Sequence, residues 1–219
     1  MNSLCKSDTG PSTIGRGCWI FPFKPMKINE SLLGSLNLDD YVLEKKYDGY
    51  RALLIVEEGG FKLFTRQKVE IPVPNNLRPQ LESLKLPAGT VLDGELWTPT
   101  SRGSWTHDRN VVCSLTFWDV MAQDGKSVGA KTLEERRAIL EELVGVGTEN
   151  VGLVIQEPVT KERIEEIRKE AMEHRVASQS RSGFVHGVVL KRKGSPRRDN
   201  PNRSVEHADW MKLVYWAQN

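Results

Sequence analysis

The stretch Glu44-Lys45-Lys46-Tyr47-Asp48-Gly49-Tyr50-Arg51-Ala52 sets a lysine amine, a carboxylate, a glycine and a guanidinium close together in the chain. An unperturbed lysine amine is protonated at neutral pH and cannot attack an electrophile. Cationic neighbours and partial burial lower its pKa and free the lone pair, and Arg51 supplies one such cation near Lys46. The electrophile that suits an amine held among cations is a phosphoryl group. The same residues also fit a solvated lysine pair ahead of an ordinary Asp-Gly hairpin turn, with no chemistry attached. The rest of the chain has to decide.

Two further stretches carry charge where a plain core would not. Val91-Leu92-Asp93-Gly94-Glu95-Leu96-Trp97 is a strand pattern interrupted by acids, which are costly to bury unless they meet a cation, a metal or a hydroxyl. Regular alternation points Asp93 and Glu95 to one side. From Lys191 to Arg203 there are six Lys or Arg residues (Lys191, Arg192, Lys193, Arg197, Arg198, Arg203) against the single Asp199. Such a run suits phosphates, and equally suits a solvated basic loop.

The elements that position these groups follow from periodicity. Tyr41-Val42-Leu43 leads into Lys46 as a strand. Ala52 to Val56 and Phe61 to Thr65 form a β-hairpin around Glu57-Glu58-Gly59-Gly60, with Arg66 at the strand end. Leu77 to Leu86 has helical spacing and is stopped by Pro87 and Gly89. Val111 to Val120 is a strand containing Phe117-Trp118-Asp119, and 99–110 is a polar loop. Thr132 opens a helix to Val144 with a capping signature. Val151 to Ile155 is a short strand, Lys161 to His174 a charged helix, and Phe184 to Lys191 and Trp210 to Trp216 the last strands. Asn29 to Leu38 holds one short helix. Residues 1–18 form a loose tail, and Trp19 to Met26 lies extended across the surface. Strands alternating irregularly with helices give a mixed α+β fold with mainly antiparallel sheets flanked by helices.

The 219 residues, 38% hydrophobic and 27% charged, suffice for one substantial globular domain, here 19–219. The start is polar without an apolar core and no run reaches the length of a membrane span, so the expectation is a cytoplasmic protein that meets no membrane. Cys5, Cys18 and Cys113 match neither a disulfide framework nor a zinc site and are expected to be free thiols. A net charge of +2 says little about partners; the clustering of the charge says more.

Five collinear motifs carry a resemblance that covers nearly the whole chain. They are Lys46-Tyr47-Asp48-Gly49-Tyr50-Arg51, Phe64-Thr65-Arg66, Asp93-Gly94-Glu95-Leu96, Phe117-Trp118-Asp119-Val120, and His186-Gly187-Val188-Val189-Leu190-Lys191 leading to Trp210-Met211-Lys212. Together they resemble the nucleotidyltransferase domain of ATP-dependent DNA ligases, within the superfamily that includes RNA ligases and mRNA capping enzymes. The resemblance implies the nucleotidyltransferase fold and a mechanism in which Lys46 attacks the α-phosphate of ATP. A lysyl-AMP results, AMP passes to a 5′-phosphate, and a 3′-hydroxyl displaces it to seal a nick.

It also implies roles. Glu44 resembles the adenine reader and Trp118 the aromatic that stacks on the purine. Arg51 and Arg66 resemble sugar and phosphate ligands, and Glu95 a ligand of the ribose or of a divalent metal. Lys191 and Lys212 would neutralise charge on the α-phosphate, and Mg2+ or Mn2+ would assist pyrophosphate departure. Nicked DNA, or a mixed RNA/DNA duplex, is the implied partner of a monomeric enzyme, gripped by Arg66, Arg192, Lys193, Arg197, Arg198 and Arg203, with Arg16, Lys24 and Lys27 as further candidates. Three departures stand out. His186 replaces the glutamate that usually opens its motif, which implies weaker metal binding there. Val214 stands where a second lysine is usual. The chain stops at Asn219, where relatives continue into an OB-fold domain, so a minimal form without that domain is expected. An RNA ligase, or a non-catalytic binder of adenylylated ends, are the rival readings.

Overall fold

Alternating apolar and polar residues build strands that gather into two sheets, each covered on one face by helices. A computed structural model describes residues 20–98, 108–177 and 185–215. In chain order the elements are β1 (Lys24–Lys27), α1 (Glu30–Gly34), β2 (Tyr41–Tyr47), β3 (Tyr50–Glu57), β4 (Gly60–Thr65), β5 (Glu70–Ile71), α2 (Arg78–Ser83) and β6 (Val91–Trp97). There follow β7 (Ser114–Gln123), β8 (Lys126–Ser127), α3 (Leu133–Val144), β9 (Val151–Leu153), β10 (Gln156–Pro158), α4 (Lys161–Ala177), β11 (Val185–Arg192) and β12 (Glu206–Val214). The five-stranded sheet runs β1-β12-β11-β2-β10, and the seven-stranded sheet runs β5-β4-β3-β6-β7-β8 with β9 beside β7.

The two sheets exchange chain at two places that matter for the site. Strands β2 and β3 flank Asp48-Gly49 yet lie in different sheets, so the hairpin alternative fails: the turn hands the chain from one sheet to the other. Tyr47 and Trp97 stack across this crossing at 5.6 Å between ring centroids. Val154 and Ile155 make a second crossing, between β9 and β10.

Each sheet buries its other face. Leu54, Leu92, Leu96 and Phe117 pack with Leu77 and Leu81 beside α2 and with Leu140 and Val144 of α3. Leu43, Val188, Leu190, Met211 and Leu213 pack with Ile164 and Ile167 of α4. Because side chains alternate along a strand, the residues between these, Glu44, Lys46, Val189 and Lys212 among them, turn to the cleft between the sheets. Helix α3 begins as its sequence requires: Thr132 accepts from Glu135 N at 3.2 Å while Thr132 N donates to the Glu135 carboxylate at 2.8 Å, a cap worth about 1 kcal/mol.

Some expectations are corrected. The segment before Met26 is extended, but it threads into the protein: Phe23 is fully buried, 4.6 Å from the ring of Trp210, and β1 pairs in parallel with β12. That pairing draws Glu206 to Asp209 into a strand that begins four residues before Trp210. Strand β7 starts at Ser114 and reaches Gln123, and β10 was not anticipated. Cys113 is a buried free thiol, pushed up to about 12 by burial. The tail 1–18, with Cys5, Arg16 and Cys18, and Trp19, most of the 99–110 loop, Phe184 and Trp216 lie outside the described residues. No described helix is long and apolar enough to cross a membrane.

Candidate active site

A cleft of about 990 Å³ opens between the two sheets. The five-stranded sheet contributes Glu44, Lys46, Lys191 and Lys212, and the seven-stranded sheet with its connections contributes Arg51, Arg66, Glu95 and Trp118. Lys24 and Trp210 also line it. His186 does not.

Lys46 lies where the chain leaves β2 for the crossing between the sheets. It is half-buried near the end of β2, opposite Gly187 of β11, and among the described residues no hydrogen bond or ion pair engages its amine. Its cationic neighbour Lys212 has an amine lowered below the usual lysine value, first by burial and then by the charges of Lys46, Lys24 and Arg66, with Glu206 opposing. The Arg66 guanidinium is lowered by burial and by Arg51.

Gly49 ties the turn after Lys46 to Glu95. Its N–H donates to Glu95 Oε1 at 3.0 Å. A Cβ on residue 49 would lie 2.5 Å from the Leu96 carbonyl oxygen and 2.9 Å from Trp97 Cβ, so no side chain fits without moving backbone. Gly49→Ala is therefore expected to shift the Lys46 loop off β6 and to slow nucleotidyl transfer to Lys46 by about a hundredfold. Far-ultraviolet circular dichroism should remain native, and the rate of lysine labelling by α-labelled ATP reads the effect.

Glu95 is nearly fully buried, and burial raises its carboxyl to about 7 against the pull of Lys46, Arg51 and the Gly49 N–H. Since this folded value exceeds the unfolded one near 4.5, the stabilising contribution is complete below pH 4.5 and fades as pH rises through about 7. In metal-free, nucleotide-free protein, Glu95→Gln should match wild type near pH 4 and exceed it by up to about 3 kcal/mol at pH 8, measured by urea unfolding.

The opposite end of the cleft is built around Glu44. Lys191 Nζ lies 2.8 Å from Glu44 Oε1, and Gln156 Nε2 donates to the same oxygen at 2.8 Å. Burial pushes the Glu44 carboxyl up, while Lys191 and Gln156 pull it back down. Lys191 also donates to the Trp118 carbonyl at 2.9 Å and sits 4.0 Å above the Trp210 ring, which together with Glu44 occupies its ammonium protons. Lys191 pairs in register with Val42, and Gly187 with Lys46, so their backbones stand roughly 13 Å apart along the sheet. Within the cleft the Lys191 ammonium thus faces Glu44.

Arg51 is held as firmly. Its Nε and Nη2 donate to the two Asp93 oxygens at 2.8 and 2.6 Å, Nη1 donates to the Phe23 carbonyl at 2.5 Å, and its guanidinium lies 5.6 Å from the Trp118 ring centre. Asp93 is held down to about 2: burial would raise it, and Arg51 and Arg197 overcome that. Arg197 in turn reaches Asp93 at 2.8 Å, Asp119 at 3.0 Å and Asp199 at 2.6 Å, and Arg136 reaches Asp119 at 2.9 Å. Arg51, Asp93, Arg197, Asp119 and Arg136 thus alternate in sign through the interior, tying β3, β6 and β7 to α3 and to the loop after β11.

This network corrects the expected nucleic-acid grip. Arg197 has a side chain with 0% exposure and cannot reach a phosphate. Lys191, at 1%, is interior as well and lines the cleft, not the outer surface. Arg198 is half-exposed and bound to Asp209, Lys193 donates to the Asp39 carbonyl at 2.7 Å, and Arg192 and Arg203 are exposed. His186 is buried with Nδ1 3.7 Å from Asp48 Oδ1 and is not among the residues that line the cleft. Sequence reasoning missed Gln156 and the partners of Arg51; only the acidic interruption at Asp93 hinted at the latter.

For the divalent cation that the resemblance implies, the fit is limited. No cluster of three or more His, Cys, Asp or Glu able to hold a metal occurs among the described residues. Mg2+ often relies on one or two carboxylates plus substrate phosphates, and Glu95 is the acid placed to serve an ion that enters with a nucleotide.

Two sheets enclose a cationic cleft, with an unengaged lysine at a sheet crossing and Glu44 and Glu95 in the lining, the arrangement that the resemblance to nucleotidyltransferase domains implies. The chain belongs to the ATP dependent DNA ligase domain family, whose model matches residues 23–213. It is 27% identical over 210 residues to the SPbeta prophage-derived DNA ligase-like protein LigB of Bacillus subtilis (strain 168), covering 87% of this chain and 66% of LigB. It is 26% identical over 201 residues to the multifunctional non-homologous end joining protein LigD of Mycobacterium bovis, covering 88% of this chain and 24% of LigD. The chain thus spans about two thirds of one relative and a quarter of the other. Among solved structures, the ligase domain of M. tuberculosis LigD superposes with a TM-score of 0.60 at 21% identity, over 90% of this chain and 60% of that one. The Chlorella virus DNA ligase-adenylate gives 0.56 at 13% identity, over 88% and 68%. At these identities the likeness shows the fold.

Proposed function

We propose that this domain seals nicks in duplex DNA, or at mixed RNA/DNA ends, through a lysyl-AMP formed on Lys46. The observation that carries the reading is the position of Lys46, unengaged in a cleft shared with Glu95, Arg51, Arg66 and Lys212. In the first step Lys46 Nζ forms a bond to the α-phosphorus of ATP, the bond to the bridging oxygen breaks, pyrophosphate leaves and the amine gives up a proton. Next a 5′-phosphate oxygen of the nick attacks the same phosphorus, so AMP passes to the DNA and the amine is released. Finally the 3′-hydroxyl oxygen attacks the 5′-phosphorus, losing its proton, and AMP departs. One condensation becomes three displacements at phosphorus.

The chain's own residues divide this labour. Lys212 and Arg66 hold charge against the α-phosphate, Arg51 is presented to the nucleotide by Asp93, and Glu95 takes the ribose or the cation. Trp118 offers a ring for the purine, and Glu44, fixed by Lys191, accepts from its exocyclic amino group. A bound Mg2+ or Mn2+ would stabilise the departing pyrophosphate. The test is sealing of a labelled nicked duplex with ATP and magnesium, using RNA or DNA on either side of the break. Sealed product that requires ATP supports the proposal; no product from any of these nicks, pre-adenylylated ones included, would overturn it.

A further inference from the structure

Gln156 touches Glu44, the residue on which base recognition rests, and neither periodicity nor motif pointed to it. It is the first residue of β10, the edge strand beside β2, and its register partner is Glu44 itself. Directly opposed residues on neighbouring strands share a face, so Gln156 stands beside Glu44 on the face that carries it, just outside the residues that line the cleft. Its position is anchored independently. Val154 N donates to the Phe117 carbonyl at 2.9 Å, and Arg137 of α3 donates to the Val154 carbonyl at 2.8 Å. The crossing from β9 to β10 is thereby pinned next to Trp118, and Gln156 is half-buried at its end.

The Lys191 ammonium and the Gln156 NH2 both lie 2.8 Å from Glu44 Oε1, so that oxygen accepts from two sides and the carboxyl group is held in one orientation. Glu44 Oε2 is the oxygen left to meet a base. A 6-amino group offers it a donor. The 6-oxo group of guanine would bring an acceptor against it, and buried acceptors facing each other are strongly disfavoured.

Resting on the proposed nucleotide chemistry of this cleft, we infer that Gln156 is a positioning residue for base selection: with Lys191 it fixes the Glu44 carboxyl so that Glu44 favours 6-aminopurine over 6-oxopurine nucleotides. Gln156→Met keeps the shape of the side chain without the amide, and Gln156→Ala removes it; both lie on a half-exposed edge and leave the buried core untouched.

The experiment measures equilibrium binding of α,β-methylene ATP and α,β-methylene GTP by calorimetry to wild type and to each variant. Covalent labelling by α-labelled ATP is followed separately. Wild type should prefer the adenine nucleotide, and both variants should narrow that preference by about tenfold while thermal stability stays near wild type. An unchanged preference in both variants, or no preference in wild type, overturns the assignment of Gln156. Selective binding without any covalent label would leave the base reader standing and remove the lysyl-AMP proposal, so the two fail separately.

Discussion

Arg197→Met is expected to destabilise the domain by about 3–5 kcal/mol, and for a chain of this size that lowers the melting temperature by roughly 10 °C or more. The side chain is fully buried and joins three carboxylates, those of Asp93, Asp119 and Asp199. Removing it leaves Asp93 with Arg51 alone and Asp119 with Arg136 as its closest cation, in an interior where an uncompensated carboxylate is costly. Arg198→Met is the control: among the described residues its ion-pair partner is Asp209, and the arginine is half-exposed, so the change should be within about 1 kcal/mol. The pH dependence should differ as well. Asp93 is held at about 2, below its unfolded value of 3.8, so its contribution is full above about pH 4 and is lost as pH falls through 2. Loss of Arg197 should flatten that acid limb, and unfolding by urea from pH 2 to 7 measures it.

The second large effect concerns Lys46→Ala. ATP-dependent sealing of an ordinary nick should fall by about a thousandfold or more, because the first two displacements both pass through the amine. Closure of a nick that already carries a 5′-adenylyl group needs no lysyl adduct and should stay within about tenfold of wild type. Stability should hold below pH 4.5, where Glu95 carries its proton, and any loss should appear only above about pH 7, where the Lys46 charge no longer opposes the buried carboxylate. Loss of both activities in a well-folded variant would mean that Lys46 acts on the nick itself, not as a carrier of AMP.

The residues that line the cleft were legible wherever local sequence sets the answer. Asp48-Gly49 announces a turn, the capping box announces α3, and the acids inside β6 announce buried partners. What was not legible depends on long-range pairing. Strand β1 contains two lysines and a proline and becomes a strand only because β12 lies open beside it. Gln156-Glu157-Pro158 has no strand signal, and an edge strand is where proline is tolerated. The run from Lys191 to Arg203 looks like one basic surface, yet two of its members are interior. Their burial is decided by acids on β2, β6 and β7, far away in sequence, which no count of charges along the chain can show. Lys191 illustrates the point most sharply: its motif marked it as a site residue, and only the pairing of β11 with β2 sets its ammonium against Glu44.

The most direct test is to map the adduct. Protein incubated with α-labelled ATP and magnesium, denatured and digested, should yield one labelled peptide, with AMP on Lys46 through an acid-labile phosphorus–nitrogen bond. Label on Lys45, Lys191 or Lys212 in place of Lys46, or no denaturation-resistant label at all, would contradict the account.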